Sequence, residues 1–461
     1  MTAGHDVSFL DDLALDGTVS FASTDREGHA ADWGTRERDA VSPDAVVWPV
    51  STDDVAAVLA AADQRGVPVT PFAAATGIES GAVPVEGGIS LDLTQMDDVG
   101  PLSAADLTID VGAGATGADV TEAAAKRGLF FPPLPTSGEE ATVGGMIATN
   151  ASGRRTVKYG KVGDWIRRIE VVFADGSVAD LGTRAAKTSS GYDLRDLVVG
   201  SEGTIAVVTS ATLELAGRPR AVRGGRIVFE SLADATGAIA DVIAAGVDVA
   251  SLELVDATSA RMVNAYVDAD LPERPTVLFE FLANHGIDEE LAFFESVVAD
   301  HDPALFESGD RETMTDLWQV RHELADATVR YDLSLESLHS GDVAVPVSTY
   351  PDLLGTIHDL ADEHDLPIPC FGHAGDGNVH FDVLVDSTDE HRVATGTAVV
   401  DEIVHRALDL GGTATGEHGV GVGKRRFMLP EHGAAGVRAM RAVKDALDPN
   451  GTLNPGKVLP D

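Results

Sequence analysis

Cysteine occurs once in this chain, as Cys370, which excludes an internal disulfide and an iron–sulfur cluster held by this chain's own cysteines. Basic side chains are scarce: 33 Lys and Arg stand against 75 Asp and Glu, a formal charge of −42. Such a surface repels phosphate backbones and anionic membranes, so nucleic acid is not expected as a partner. No stretch approaches the roughly 18 consecutive apolar residues that span a bilayer. Met1–Gly17 carries aspartates and lacks the basic region and apolar run of a secretory signal. A cytoplasmic protein without a transmembrane segment is expected. The acidic residues are dispersed rather than gathered in a tail, the pattern of a hydrated halophilic shell.

At 461 residues the chain is too long for one ordinary core, and two domains are expected. Between Val46 and Leu215 short β-type runs alternate with helix-like runs. Asp53 and Asp54 open an apolar-periodic segment that stops at Gly66. Val67–Phe72, Gly88–Leu93 and Leu107–Val111 read as strands, and Gly117–Arg127 as a helix closed by Gly128. Asp175-Gly176 between Ile166–Phe173 and Ser177–Leu181 is a strong hairpin signal. Arg218–Arg226 looks like a boundary. Beyond it the pattern suggests a second βαβ-like module, one long helix over Glu312–Arg330, and strands at Ile368–Phe371 and Phe381–Val385.

Three segments are rich in small residues: Phe72–Gly77, Gly144–Gly153 and Gly200–Ile205. Small residues let backbone N–H groups approach a ligand closely, although a tight turn between packed elements explains them equally well. None is the GxGxxG of a Rossmann unit or a Walker loop, so a nicotinamide site is unsupported. The sharpest chemical signal is Gly372-His373-Ala374-Gly375-Asp376-Gly377-Asn378-Val379-His380, which places two imidazoles on a glycine-rich loop. Gly416-Glu417-His418-Gly419 adds a carboxylate and a third imidazole. A two-His-one-carboxylate metal site is one assembly of these groups, and unliganded polar loops are the other.

Pro49-Val50-Ser51, Thr76-Gly77, Gly87-Gly88-Ile89, Pro132-Pro133, Thr142-Val143-Gly144-Gly145, Tyr159-Gly160 and Gly200-Ser201-Glu202-Gly203-Thr204, in this order, resemble the FAD-linked oxidases of vanillyl-alcohol-oxidase type. Within them the chain is similar to the branch of D-lactate dehydrogenases, glycolate oxidase flavoprotein subunits and D-2-hydroxyglutarate dehydrogenases. The resemblance implies an α+β fold: a two-subdomain PCMH-type FAD-binding domain plus a cap domain of antiparallel sheet flanked by helices. The implied division is an N-terminal extension over 1–40, the FAD domain over 41–218, a substrate cap over 219–410, and a segment over 411–461 that completes the active site.

The same resemblance implies non-covalent FAD, contacted by Ala73, Ala74, Ala75, Thr76, Gly77, Thr136, Ser137, Gly144, Gly145, Asn150, Ser152, Gly153, Gly203, Ile205 and Asn454. It implies a divalent Zn, Mn or Fe held by His373, His380 and Glu417, with His418 as catalytic base. Arg321 becomes the substrate-carboxylate clamp and Asn378 a further substrate contact. Family members carry glycines at 73–75, so any of these alanines that needs φ > 0 is expected to be strained. Ser340 and Ala325 stand where 2-hydroxyglutarate enzymes carry Lys and Thr, which favours D-lactate or glycolate as substrate.

The implied activity is oxidation of a D-2-hydroxy acid to the 2-keto acid. An external acceptor takes the electrons: a quinone, a cytochrome, an electron-transfer flavoprotein or an iron–sulfur subunit. Such an acceptor would bring the protein to the membrane periphery, and a homodimer is compatible with the pattern. The rival readings are a redox-neutral alkyl-dihydroxyacetonephosphate synthase-like transferase and a non-catalytic flavin subunit of an oxidase complex.

Overall fold

Short polar caps fix where the helices begin. Ser51 accepts the amide hydrogen of Asp54 and opens the helix Thr52–Asp63, with Asp53 and Asp54 in the first turn at the positive end of the dipole. Thr116 and Asp119 cap one another's backbone at the head of the helix Gly117–Ala125. The computed structural model describes residues 4–267 and 269–460, apart from the side chains of Glu37, His339 and Ser340. The chain divides into two units. One comprises 1–152, 161–218 and 417–461; the other comprises 153–160 and 219–416.

The first unit holds two sheets. β1 (Thr18–Ser20), β2 (Ala45–Trp48), β3 (Val69–Phe72) and β4 (Ile89–Asp92) lie in the order β1-β2-β4-β3, with β4 parallel to both β2 and β3. The helix Thr52–Asp63 is the crossover from β2 to β3, and its Val55, Val58, Leu59 and Ala62 bury against Val47, Val69 and Leu91. The second sheet is antiparallel and is built from β5 (Val99–Ser103), β6 (Thr108–Gly112), β8 (Ile166–Val172), β9 (Val178–Gly182) and β10 (Val207–Glu214). Gly176, at φ +81°, turns β8 into β9 at the expected Asp-Gly pair. β7 (Leu129–Phe130) and β11 (Ala216–Gly217) pair separately.

The second unit is built on a seven-stranded antiparallel sheet. Its strands are β12 (Ala221–Val228), β13 (Ser251–Val255), β14 (Thr276–Ala283), β15 (Leu305–Gly309), β16 (Glu336–Ala344), β17 (Cys370–His373) and β18 (Asn378–Val385). They lie in the order β15-β12-β14-β13-β17-β18-β16. The expected βαβ module is split: β12 and β13 are both antiparallel to β14, which sits between them. The expected long helix is two, Arg311–His322 and Leu324–Arg330, with Glu323 at φ −75° and ψ −8° between them. β17 starts two residues later than expected, since Pro367 and Pro369 have no N–H to give a ladder; Pro369 only accepts, from Asp382. Mixed helices and antiparallel sheets make the fold α+β, as expected. Among the described residues no helix is long and apolar enough to cross a membrane.

Candidate active site

Strand side chains alternate between the two faces of a sheet, so the register of β13–β18 decides which groups meet. Ser251 pairs with Glu280, Glu253 with His373, Phe371 with His380, and His380 with Asp342. Glu280, Glu253, His373, His380, Asn378 and Asp342 therefore share one face of the sheet. His373 and His380 sit on the strands themselves, not on the connecting loop; only Ala374–Gly377 forms the turn, with Gly377 at φ +83°. A Cβ there would lie 1.9 Å from the Val345 carbonyl oxygen. The rings of His373 and His380 are edge to face at 5.3 Å.

Glu253 is the hub of this face and escaped the sequence analysis, since an acid inside an apolar strand carries no motif. Its carboxylate accepts from His373 Nδ1 at 2.5 Å and from Arg321 Nε at 2.8 Å. Burial raises the pKa of this group, but the charges of His373 and Arg321 and their hydrogen bonds outweigh it and leave Glu253 below its ordinary value. Arg321 lies in the last turn of the helix Arg311–His322, and its guanidinium lies 4.9 Å from the centre of the Phe371 ring. One turn earlier, the Trp318 indole donates to Glu280 Oε1 at 3.1 Å, and Arg155 Nε donates to the other oxygen at 3.2 Å. Arg154 stacks at 4.5 Å over Trp318. Among the described residues Arg154 has no carboxylate within ion-pair reach. Burial, and then the charge of Arg155, lower its pKa to about 10. The doubled Arg154-Arg155 after Gly153 was the available signal for it.

Asn378 donates through Nδ2 to Asp342 Oδ1 at 2.6 Å and to the Val343 carbonyl at 3.1 Å. Both partners accept, so the amide orientation is fixed, and Oδ1 is left buried without a partner among the described residues. Asp342 also lies 3.7 Å from His380 Nδ1 and accepts from Thr415 Oγ1 at 3.1 Å. Gly416 runs so close to Asn378 that a Cβ would sit 2.2 Å from Nδ2. Gly153, in the same unit, is tied by its N–H to Thr156 Oγ1. Ala325 is exposed, and the Ser340 side chain lies outside the described residues.

In the first unit, Glu417 accepts from Ser152 Oγ at 3.1 Å, and its other oxygen lies 3.8 Å from His418 Nε2. The loop that carries this pair is pinned by Glu202, whose two oxygens accept from the N–H groups of Val420 at 2.7 Å and Gly421 at 2.8 Å. Burial raises the pKa of Glu202, against those two donors and the charges of Lys457 and Lys424. Asn454 donates to the carbonyls of Glu202 and Gly81, which ties the C-terminal segment to the turns that carry those two residues. Asn150, left-handed at φ +49°, ends the helix Val143–Thr149 and accepts from Gly163 N–H. Gly144 is small because a Cβ would lie 2.9 Å from Ala113; Gly145 is exposed. Gly203, at φ +68°, packs on Pro71, and Ile205 is buried. Ser137 accepts from Ala141 N–H in the loop that also carries Thr136. Of the three alanines, Ala75 alone takes the left-handed conformation, at φ +53°, and its carbonyl accepts from Trp33 N–H. Thr76 is half-buried and Gly77 exposed beside it.

Two family descriptions match this chain: FAD binding domain over residues 43–182, and FAD linked oxidases, C-terminal domain, over residues 218–458. The second alone covers more than half of the chain. The chain belongs to the FAD-linked oxidase family. It is 34% identical over 459 residues to Probable D-lactate dehydrogenase, mitochondrial, of Danio rerio, covering 98% of this chain and 91% of the relative. It is 33% identical to D-lactate dehydrogenase (cytochrome), mitochondrial, of Arabidopsis thaliana, covering 91% and 74%. It is also 33% identical to Glycolate oxidase subunit GlcD of Bacillus subtilis (strain 168), covering 90% and 89%. Among solved structures, p-cresol methylhydroxylase matches with a TM-score of 0.79 at 14% identity over 95% of this chain and 93% of that one. An alkyldihydroxyacetonephosphate synthase matches with a TM-score of 0.75 at 18% identity over 98% and 86%. These two likenesses concern the fold. As a member of this FAD-linked family the chain is an oxidoreductase, and the segments around Phe72–Gly77 and Val143–Asn150 fall inside its FAD-binding domain.

Proposed function

We propose that this flavoprotein oxidises a small D-2-hydroxy acid, D-lactate or glycolate in preference to D-2-hydroxyglutarate, to the 2-keto acid. The observation that carries the reading is Glu253, one buried carboxylate that holds both an imidazole at Nδ1 and an arginine. A carboxylate on Nδ1 fixes the tautomer that presents Nε2 as a ligand, the usual outer partner of a metal-binding histidine. The same carboxylate takes only Nε of Arg321, so the terminal nitrogens remain for the planar fork that suits a substrate carboxylate.

His373 and His380, as neighbouring imidazoles on one sheet face, fit a divalent Zn, Mn or Fe. Glu417 would be the third ligand, as the residue directly after Gly416, whose backbone abuts Asn378 and Asp342. A metal held there would supply a Lewis acid that lowers the pKa of the substrate hydroxyl, and FAD would supply the acceptor for the hydride from C2. His418 takes the hydroxyl proton, and Asn378 is a further substrate contact. Arg154 and Arg321 together hold the carboxylate. On this face Arg154, Arg155 and Arg321 stand against Glu253, Glu280 and Asp342.

The FAD domain is assigned to 41–218, the cap to 219–410 and the completing segment to 411–461. An external acceptor would take the electrons from the flavin, and a cytochrome is one class named among the relatives. The alkyl-transfer reading has only the fold in its support. The His418→Ala variant is expected to bind FAD with an unchanged visible spectrum and to lose its reduction by hydroxy acid. Flavin reduction at the parental rate in that variant would contradict the role of His418.

A further inference from the structure

The opposite face of the same sheet holds a second cluster. Cys370 alternates with Phe371, so it points away from the His373 face. Asp256 follows β13, and its N–H donates to the Cys370 carbonyl at 3.0 Å. His358, on the helix Tyr350–His364, bonds Asp256 Oδ2 through Nε2 at 3.0 Å. One ligand atom from each of Asp256, His358 and Cys370 lies within 4.8 Å of the other two. We propose that these three side chains form a second metal site, for a zinc-class divalent ion, distinct from the one assigned to His373, His380 and Glu417.

Several features of the cluster favour an ion over a simple His–Asp pair. Tetrahedral zinc with Zn–N and Zn–O bonds near 2.0 Å and a Zn–S bond near 2.3 Å sets its ligand atoms about 3.3–3.7 Å apart, within the span of this trio. Asp256 is 1% exposed, and its Oδ1 is held by the Ser259 N–H at 2.7 Å, so Oδ2 is oriented toward His358 by the start of the next helix. A hydrogen-bonded ligating carboxylate is the usual outer arrangement. The Cys370 thiol is fully buried and has only a 3.9 Å contact to the Ile368 carbonyl. The His358 side chain is 37% exposed, which gives the ion an entry path and leaves a fourth position to water. A divalent ion with one thiolate, one carboxylate and a neutral imidazole forms a neutral centre, whereas the buried carboxylate otherwise has a single half-exposed imidazole beside it. Mixed N, O and S donors suit zinc better than magnesium or calcium. The role is structural: the ion would staple the end of β13 and the start of β17 to the helix Tyr350–His364.

Because Cys370 is the only cysteine, the test has a signature that no other part of the chain can produce. The full-length FAD-loaded protein is stripped with chelator, reconstituted with Co(II), and examined in the near ultraviolet for thiolate-to-cobalt charge transfer, with bound cobalt counted per chain. The expected result is that absorption in the parent, with one equivalent more cobalt than in Cys370→Ser or His358→Gln, both of which lose the band. His373→Ala is expected to keep it. His358→Gln, at a partly exposed side chain, serves if Cys370→Ser does not fold. Absence of the band in the folded parent, or an unchanged band and cobalt count in His358→Gln, would overturn the site. The readout does not depend on turnover, so failure of the hydroxy-acid assignment would leave this result standing by itself.

Discussion

Ala75 holds a left-handed backbone, at φ +53°, in spite of its Cβ. A left-handed backbone at a residue with a Cβ costs roughly 1–2 kcal/mol, part of which glycine would return through its greater freedom in the unfolded chain. Ala75→Gly is therefore expected to raise stability by about 0.5–1 kcal/mol, read as denaturant midpoint in molar salt, whereas Ala73→Gly and Ala74→Gly lower it or leave it unchanged. Arg154 is the residue-scale counterpart in the proposed site. Hydrogen bonds to charged groups contribute about 1.5–3 kcal/mol, so Arg154→Gln is expected to raise KM for D-lactate roughly ten- to hundred-fold with kcat within a few-fold. An unchanged KM would remove Arg154 from the carboxylate cradle.

At the scale of elements, the loop after Gly416 depends on one acid. Glu202 satisfies the N–H groups of Val420 and Gly421, just beyond Glu417 and His418. Glu202→Ala leaves two donors unmet, at about 1–3 kcal/mol each where they stay buried. The variant is expected to fall in melting temperature and to lose most of its turnover while it retains FAD; parental turnover would show that the loop holds its shape unaided. Much of this was legible beforehand. Caps and the Asp175-Gly176 turn marked their elements, because those signals lie within a few residues of one another. The His373 and His380 pair stood out by spacing. Glu253, Glu280 and Arg154 did not, because their meaning lies in strand register: Glu253 matters through its partner His373, 120 positions away in the chain. The break at Glu323 and the insertion of β14 between β12 and β13 are likewise decided by packing, which local periodicity does not encode.

For the molecule as a whole, two compact units are assembled from five stretches of chain, so the chain changes unit four times. Ser152 and Arg154 flank the first of these changes, and Gly416, Glu417 and His418 the last. A charge of −42 repels itself across the surface, and molar salt, which shortens the screening length to about 3 Å, quiets that repulsion. In that medium the visible absorbance of the FAD-loaded, metal-replete protein is to be followed without oxygen as D-lactate, glycolate or D-2-hydroxyglutarate is added. Bleaching of the flavin band by D-lactate or glycolate, reversed by an added electron acceptor, is the expected result. A flavin band that no hydroxy acid bleaches would contradict hydroxy-acid oxidation by this chain.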